Sequence, residues 1–222
     1  MPQQLAFPLP TKTALGRENF FVSDANQLAV AALEDASLWP NGKLIICGPA
    51  ASGKTHLAHV WAGEVGARII SGASLASRDI AQEASAPLVI EDIDQLTSPD
   101  QTALFHLHNL MLAEGYALLM TTTRAPGQIG LELPDLLSRL QGTSLVALEP
   151  PDDALLSVVL TKMLSDRQIT LPGGLLDYIL PRLERSFAAA RDFVDEIDAR
   201  SLAEGKPIGK RLAGEILQRN QG

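Results

Sequence analysis

Gly48-Pro49-Ala50-Ala51-Ser52-Gly53-Lys54-Thr55 decides the fold. It reads G-x-x-x-x-G-K-T, the spacing of a phosphate-binding loop, the P-loop or Walker A motif. Leu44-Ile45-Ile46-Cys47 stands before it, an apolar run of buried-strand type, and His56 to Ala62 follows with helical spacing. Strand, glycine-rich loop and helix is the context that such a motif needs. The glycines let backbone N–H groups close around phosphate oxygens, and the helix N-terminus adds its positive dipole end. On this reading Pro49, Ala50, Ala51, Ser52, Gly53, Lys54, Thr55 and His56 line a nucleotide. Lys54 reaches the outer phosphates, and the Thr55 hydroxyl holds Mg²⁺.

Around the loop, composition bounds the rest. The 222 residues suffice for one sizeable domain and a small one, and the hydrophobic fraction of 46% is that of a globular chain. No apolar run has the length of a membrane span. MPQQLAFPLP lacks the basic start of a secretory signal. The single cysteine, Cys47, permits no internal disulfide and fits a reducing cytoplasm. Net charge is −8, and the only basic cluster, Lys206 to Arg211, is short. Duplex DNA binding rests on phosphate neutralisation by a basic surface, so autonomous sequence-specific DNA binding is not expected. A protein partner is.

The tail, residues 1 to about 15, has three prolines and no periodicity. A helical segment begins at Asn26, and Trp39-Pro40-Asn41-Gly42 breaks the chain. Strand-like segments at 44–47, 68–71, 87–91, 116–122 and 143–148 then alternate with helix-like ones at 54–64, 75–84 and 99–114. Such alternation predicts an α/β fold: a parallel five-stranded sheet flanked by helices, here of P-loop NTPase type. Pro150-Pro151 ends it. Beyond lies only helical pattern, at 152–166, 173–183, 186–203 and 208–219, which predicts a small all-α lid. The expected organisation is a tail at 1–15, a nucleotide-binding domain at 16–150 and a lid at 151–222.

Leu88-Val89-Ile90-Glu91-Asp92-Ile93-Asp94 is an apolar strand ending in carboxylates. Beside a P-loop, Glu91 would hold the Mg²⁺ shell and Asp92 would be the base that polarises the attacking water, a Walker B motif in the order Glu-Asp. Thr121-Thr122-Thr123-Arg124 ends a further buried strand. Thr123 there suits either sensor 1, a hydrogen-bonding contact to the terminal phosphate, or a plain step from strand to loop. Leu136-Leu137-Ser138-Arg139 offers an arginine that suits a finger for a neighbouring subunit or a solvated place on a short helix. His56 and His59 share a helix face, but no Cys or carboxylate completes a zinc set with them. Gln4-Leu5-Ala6-Phe7-Pro8-Leu9 sets large apolar residues on a tail, where they either dock in a partner's groove or fold back on their own domain.

Taken in order, these segments resemble the AAA+ module of the DnaA replication-initiator family, from about residue 16 to 220, and most of all its short Hda-like members. Asn19-Phe20-Phe21-Val22-Ser23-Asp24-Ala25-Asn26-Gln27-Leu28-Ala29 is similar to the family's N-F-V-V-G-x-S-N-x-L-A box. The resemblance implies that Phe20, Phe21, Val22 and Asn26 lie against base and ribose. GPAASGKTHL resembles the family P-loop, LVIEDID its L-L-I-D-D-I-Q, Leu137-Ser138-Arg139-Leu140 its arginine-finger box and Val146 to Pro151 its V-A-I-E-P-P. QLAFPL is similar to the motif by which Hda-like proteins dock on the β sliding clamp, which implies Gln4, Leu5, Phe7 and Leu9 as clamp contacts. Arg185-Ser186-Phe187-Ala188-Ala189-Ala190-Arg191 resembles the sensor 2 stretch R-S-N-V-R-E-L. Ungapped alignment puts an alanine at its arginine, and a shift puts Arg191 there. The family has Asp-Asp at Glu91-Asp92 and an aspartate at Thr123. The resemblance implies ADP or ATP with Mg²⁺ as cofactors, and DnaA and the β sliding clamp as partners. It also implies possible self-association through AAA+ interfaces. The chain stops where DnaA would continue into a DNA-binding domain, which fits the acidic charge.

The resulting expectation is a cytoplasmic, clamp-bound regulator with at most weak ATPase activity of its own, which promotes hydrolysis of DnaA-bound ATP through Arg139. The rival is a stand-alone AAA+ ATPase of helicase-loader or initiator type. A loader should carry a basic, aromatic-studded channel, and aromatics make up only 5% of this chain.

Overall fold

The computed structural model describes residues 22–204 and 208–219. Five strands form one parallel sheet: β1 Lys43–Cys47, β2 Arg68–Ser71, β3 Leu88–Glu91, β4 Leu118–Thr122 and β5 Ser144–Ala147, in the order β2-β3-β4-β1-β5. The expected α/β sheet is there, with strand ends displaced by one or two residues. Leu118 rather than residue 116 opens β4, because Gly115 ends the preceding helix in a left-handed C-cap and the chain needs two residues to enter the sheet.

Helices α1 (Gln27–Glu34) and α2 (Lys54–Val65) cover one face. Their core joins Leu44, Ile46, Val89 and Leu119 to Leu57, Trp61 and Trp39. The two tryptophan rings meet at 5.1 Å, and Trp39 donates its indole N–H to Ala32 O at 2.6 Å. The opposite face carries α3 (Ile80–Glu83), α4 (Ser98–Glu114) and α5 (Pro134–Gln141), packed on Ile45, Ile90, Leu118 and Met120. Strands buried on both faces read as continuous apolar runs, as β1 and β3 do.

Two helices differ from expectation. The segment 75–84 is not one helix but 3₁₀ turns over Gly72–Ser77 and then the single turn of α3. Arg78 and Asp79 are extended, and the Asp79 carboxylate accepts from the Ala81 and Gln82 N–H groups, so the helix restarts there. The segment 173–183 forms only α7 (Leu175–Ile179), with a 3₁₀ turn over Leu180–Arg182. Pro181, which has no N–H to donate, stands in that turn.

The remaining helices, α6 (Asp153–Asp166), α7, α8 (Phe187–Glu204) and α9 (Lys210–Arg219), bury a core of their own around Leu160, Phe193, Val194, Ile197 and Ile216. Arg167 ties α6 to α8 through Asp195 and Asp198. No helix among the described residues is long and apolar enough to cross a membrane.

Candidate functional site at the carboxyl ends of the strands

The P-loop leaves β1 at Cys47 and enters α2 at Lys54. Gly48 is required where it stands: a Cβ would lie 2.8 Å from Leu148 O and 2.8 Å from Ser52 Oγ. Gly53 has φ +99°, and its Cβ would meet the Phe187 ring at 3.0 Å. Ala51 also takes a left-handed φ of 57°, which costs an alanine about 1–2 kcal/mol. Such strain, held in place by the surrounding structure, points to function. Beyond the loop, the N–H groups of Gly53, Lys54 and Thr55 donate to no group among the described residues. They form an open nest at the head of a three-turn helix, suited to phosphate oxygens.

Lys54 is buried and donates to Gly48 O and Pro49 O, both at 2.7 Å. Burial lowers its pKa, and the charges of Asp92, Asp94 and Cys47 oppose that shift. Pro49, Ala50 and Thr55 are exposed, while Ser52 is buried and His56 half-buried. Burial pushes the Cys47 thiol up, so it behaves as a small protonated hydrophobe.

The order of strands builds the rest. β4 lies between β1 and β3, so its end stands between the P-loop and the carboxylates. Thr121 accepts from the Asp92 N–H at 3.0 Å, and Asp92 takes a left-handed φ of 59° that an aspartate tolerates. Thr123 donates both its N–H, at 3.3 Å, and its hydroxyl to Asp94. Glu91 Oε1 and Asp94 Oδ1 are buried without a hydrogen-bond partner. Carboxylate oxygens are the ligand type that Mg²⁺ takes, but no cluster of three His, Cys, Asp or Glu side chains is gathered for a metal among the described residues. Asp94 is the group that sequence reasoning left unused. Its signal was the third carboxylate of LVIEDID, but its contact lies on another strand.

The helical region closes on the loop. Phe187 donates its N–H to Ala51 O at 3.2 Å, and its ring is the one that bars a side chain at Gly53. Burial, then His59 and Lys162 of α6, lower the pKa of His56. Arg191 lies one turn along α8 from Phe187 and is exposed, as is Ala188. Asn26 is buried and accepts from the Ser23 N–H at 2.9 Å, while Val22 is half exposed. Phe20, Phe21, Gln4, Leu5, Phe7 and Leu9 lie outside the described residues.

Arg139 is not at this site. It stands exposed in the last turn of α5, with its guanidinium 5.5 Å from the centre of the Phe105 ring. It lines a cavity of about 600 Å³ with Lys43, Phe105, Asp135 and His108. Lys43 begins β1 and the P-loop follows its end. Four residue steps of strand, about 13 Å, therefore separate Arg139's surroundings from the loop.

His108 in that cavity carries a testable pH signature. Burial, and then the charges of Lys43 and Arg139, lower its pKa from 6.5 to about 4. Between those values the unfolded chain binds a proton that the folded chain refuses, so stability falls as pH falls through the window. Denaturant midpoints measured from pH 6.5 down to 4 are expected to drop less steeply for His108→Leu than for the parent. Parallel curves would refute this.

No family model matches the chain. Among solved structures it is similar to domain III of the replication initiation protein DnaA from Thermotoga maritima, at 24% identity and a TM-score of 0.79, over 92% of this chain and 96% of that one. It is also similar to AMPPCP-bound DnaA from Aquifex aeolicus, at 21% identity and a TM-score of 0.70, over 84% of this chain and 65% of that one. A RuvB mutant from Thermotoga maritima matches at 19% identity and a TM-score of 0.68, over 89% of this chain and 70% of that one. The chain thus spans about two thirds of the longer DnaA chain. The fold is that of an AAA+ P-loop NTPase, a five-stranded parallel sheet followed by a helical region.

Proposed function

We propose that this chain is a nucleotide-bound AAA+ regulator of replication initiation, of the Hda-like kind, which docks on the β sliding clamp and promotes hydrolysis of DnaA-bound ATP. The observation that carries the proposal is the place of Arg139. It is exposed and lies at the far end of β1 from its own P-loop, which supports a role toward a nucleotide on another molecule rather than its own. A guanidinium placed at a γ-phosphate there neutralises charge that develops as the bond to it breaks.

In this reading the chain's own nucleotide, ADP or ATP, sets the shape that is presented. Lys54 and the nest of N–H groups bind its phosphates. Thr55 and Glu91 would hold Mg²⁺, which supplies charge neutralisation. Asp92 would orient water, Thr123 would act as sensor 1, and Arg191 would approach from α8. The DnaA family has an aspartate where this chain has Thr123, and Asp94 supplies a carboxylate at that point from the 3₁₀ turn after β3. Val22 and Asn26, with Phe20 and Phe21, would flank the base. Residues 1–15 would carry the clamp contacts Gln4, Leu5, Phe7 and Leu9, 16–150 the nucleotide and 151–222 the lid. The compartment would be the cytoplasm.

The retained Glu91–Asp92 pair favours a second reading, a stand-alone ATPase. One assay separates the two: ADP production followed with this protein alone, and again with ATP–DnaA and clamp-loaded DNA. The regulator reading expects little turnover alone and strong turnover with all components. Deleting residues 1–9 should remove the clamp dependence and leave nucleotide binding unchanged. Equal turnover with and without the partner would favour the ATPase reading.

A further inference from the structure

The cavity beside Arg139 holds two side chains that the reading above does not use. Lys43 is 1% exposed, and its ammonium nitrogen has no hydrogen-bond partner. His108 is 5% exposed, and neither ring nitrogen has one. A buried ammonium without an acceptor costs several kcal/mol, so such a group calls for an explanation. The cost is raised by Arg139, whose like charge acts on Lys43 along with burial. Asp135 also lines the cavity, but it forms no ion pair with Lys43 or Arg139 among the described residues. The site is therefore rich in donors and short of acceptors. An anion would remedy both faults at once.

We propose that this cavity is a second anion site, separate from the P-loop, which takes the phosphate group of a small phosphorylated molecule between Lys43, Arg139 and the His108 ring. Lys43, Arg139 and His108 come to this one cavity from β1, α5 and α4. A tetrahedral group with three or four oxygens can accept from all of them, and the arginine fork suits it in particular. At about 600 Å³ the cavity is of the size that holds small ligands, and it exceeds a bare phosphate ion. The bound group would engage Arg139, so occupancy and the finger role would compete.

The four histidines make the test site-resolved. Their ring signals are followed by NMR while inorganic phosphate, and separately AMP, is titrated. The His108 signal is assigned by its loss in His108→Gln. Phosphate at the P-loop would move His56, next to Thr55, whereas phosphate in the cavity moves His108. The expected result is a saturable shift of His108, with the apparent affinity at least tenfold weaker in Lys43→Met. Lys43→Met replaces an unpaired buried charge by an apolar side chain of similar length, a change that proteins often tolerate. If it fails to fold, Lys43→Gln carries the same comparison. Tighter binding of AMP than of phosphate would support a phosphate ester as ligand, and equal binding a free phosphate. A His108 signal that does not move, or that moves equally in the Lys43 variants, would overturn the proposal.

Discussion

Arg139→Ala is expected to lower the partner ATPase activity stimulated by this chain by about a thousandfold or more, the scale of an arginine supplied in trans to a phosphoryl transfer. The variant should fold. Arg139 is exposed, its backbone sits in the last turn of a short helix, and its only described side-chain contact is the Phe105 ring. Losing a cation–π contact of this kind at an exposed place costs about 0.5–1 kcal/mol. Nucleotide affinity at its own P-loop should not change, since that loop lies at the other end of β1. The readout is ADP released from ATP–DnaA in the presence of clamp-loaded DNA. Arg139→Lys should restore only a part of the rate, because an ammonium keeps the charge but not the planar fork. Stimulation by Arg139→Ala equal to that of the parent would show that the finger lies elsewhere.

Lys54→Ala is expected to weaken nucleotide binding by roughly two to three orders of magnitude. Truncating one partner of a buried, hydrogen-bonded charge pair costs about 2–5 kcal/mol, and each 1.4 kcal/mol is about tenfold in affinity. Lys54 is bonded to the Gly48 and Pro49 carbonyls at 2.7 Å each, so the ammonium is held at the mouth of the loop. Removing it also removes a desolvated charge, and the melting temperature without nucleotide should change little. Titration with a fluorescent ADP analogue checks the first statement and a thermal melt the second. An affinity within threefold of the parent would mean that the N–H nest alone holds the phosphates.

The elements were legible for particular reasons. β1 and β3 are covered on both sides, so their apolar runs are unbroken, and α2 starts where the glycine spacing ends. α4 was bounded because Thr97 and Asp100 form a capping box and Gly115 a left-handed stop. The helix expected at 75–84 failed because Asp79 competes for the backbone donors locally, a contest that apolar spacing does not register. The strand expected at 44–47 begins one residue earlier, at Lys43, which is almost wholly buried although charged.

The amino-acid sequence by itself determined that the chain has a P-loop, a strand ending in carboxylates and a helical C-terminal region, because those signals are local. Each needs only neighbouring residues and the periods of helix and strand. Only the tertiary structure decided what stands beside what. Inserting β4 between β1 and β3 joins Thr123 to Asp94, 29 positions apart in the chain. The same sheet carries Arg139 to the end of β1 opposite Lys54, where it lines one cavity with Lys43 and His108. Strand order arises from the packing of whole faces, which no local pattern encodes. So the loop at 48–55 could be read from its letters, whereas the separation of its lysine from Arg139 could not.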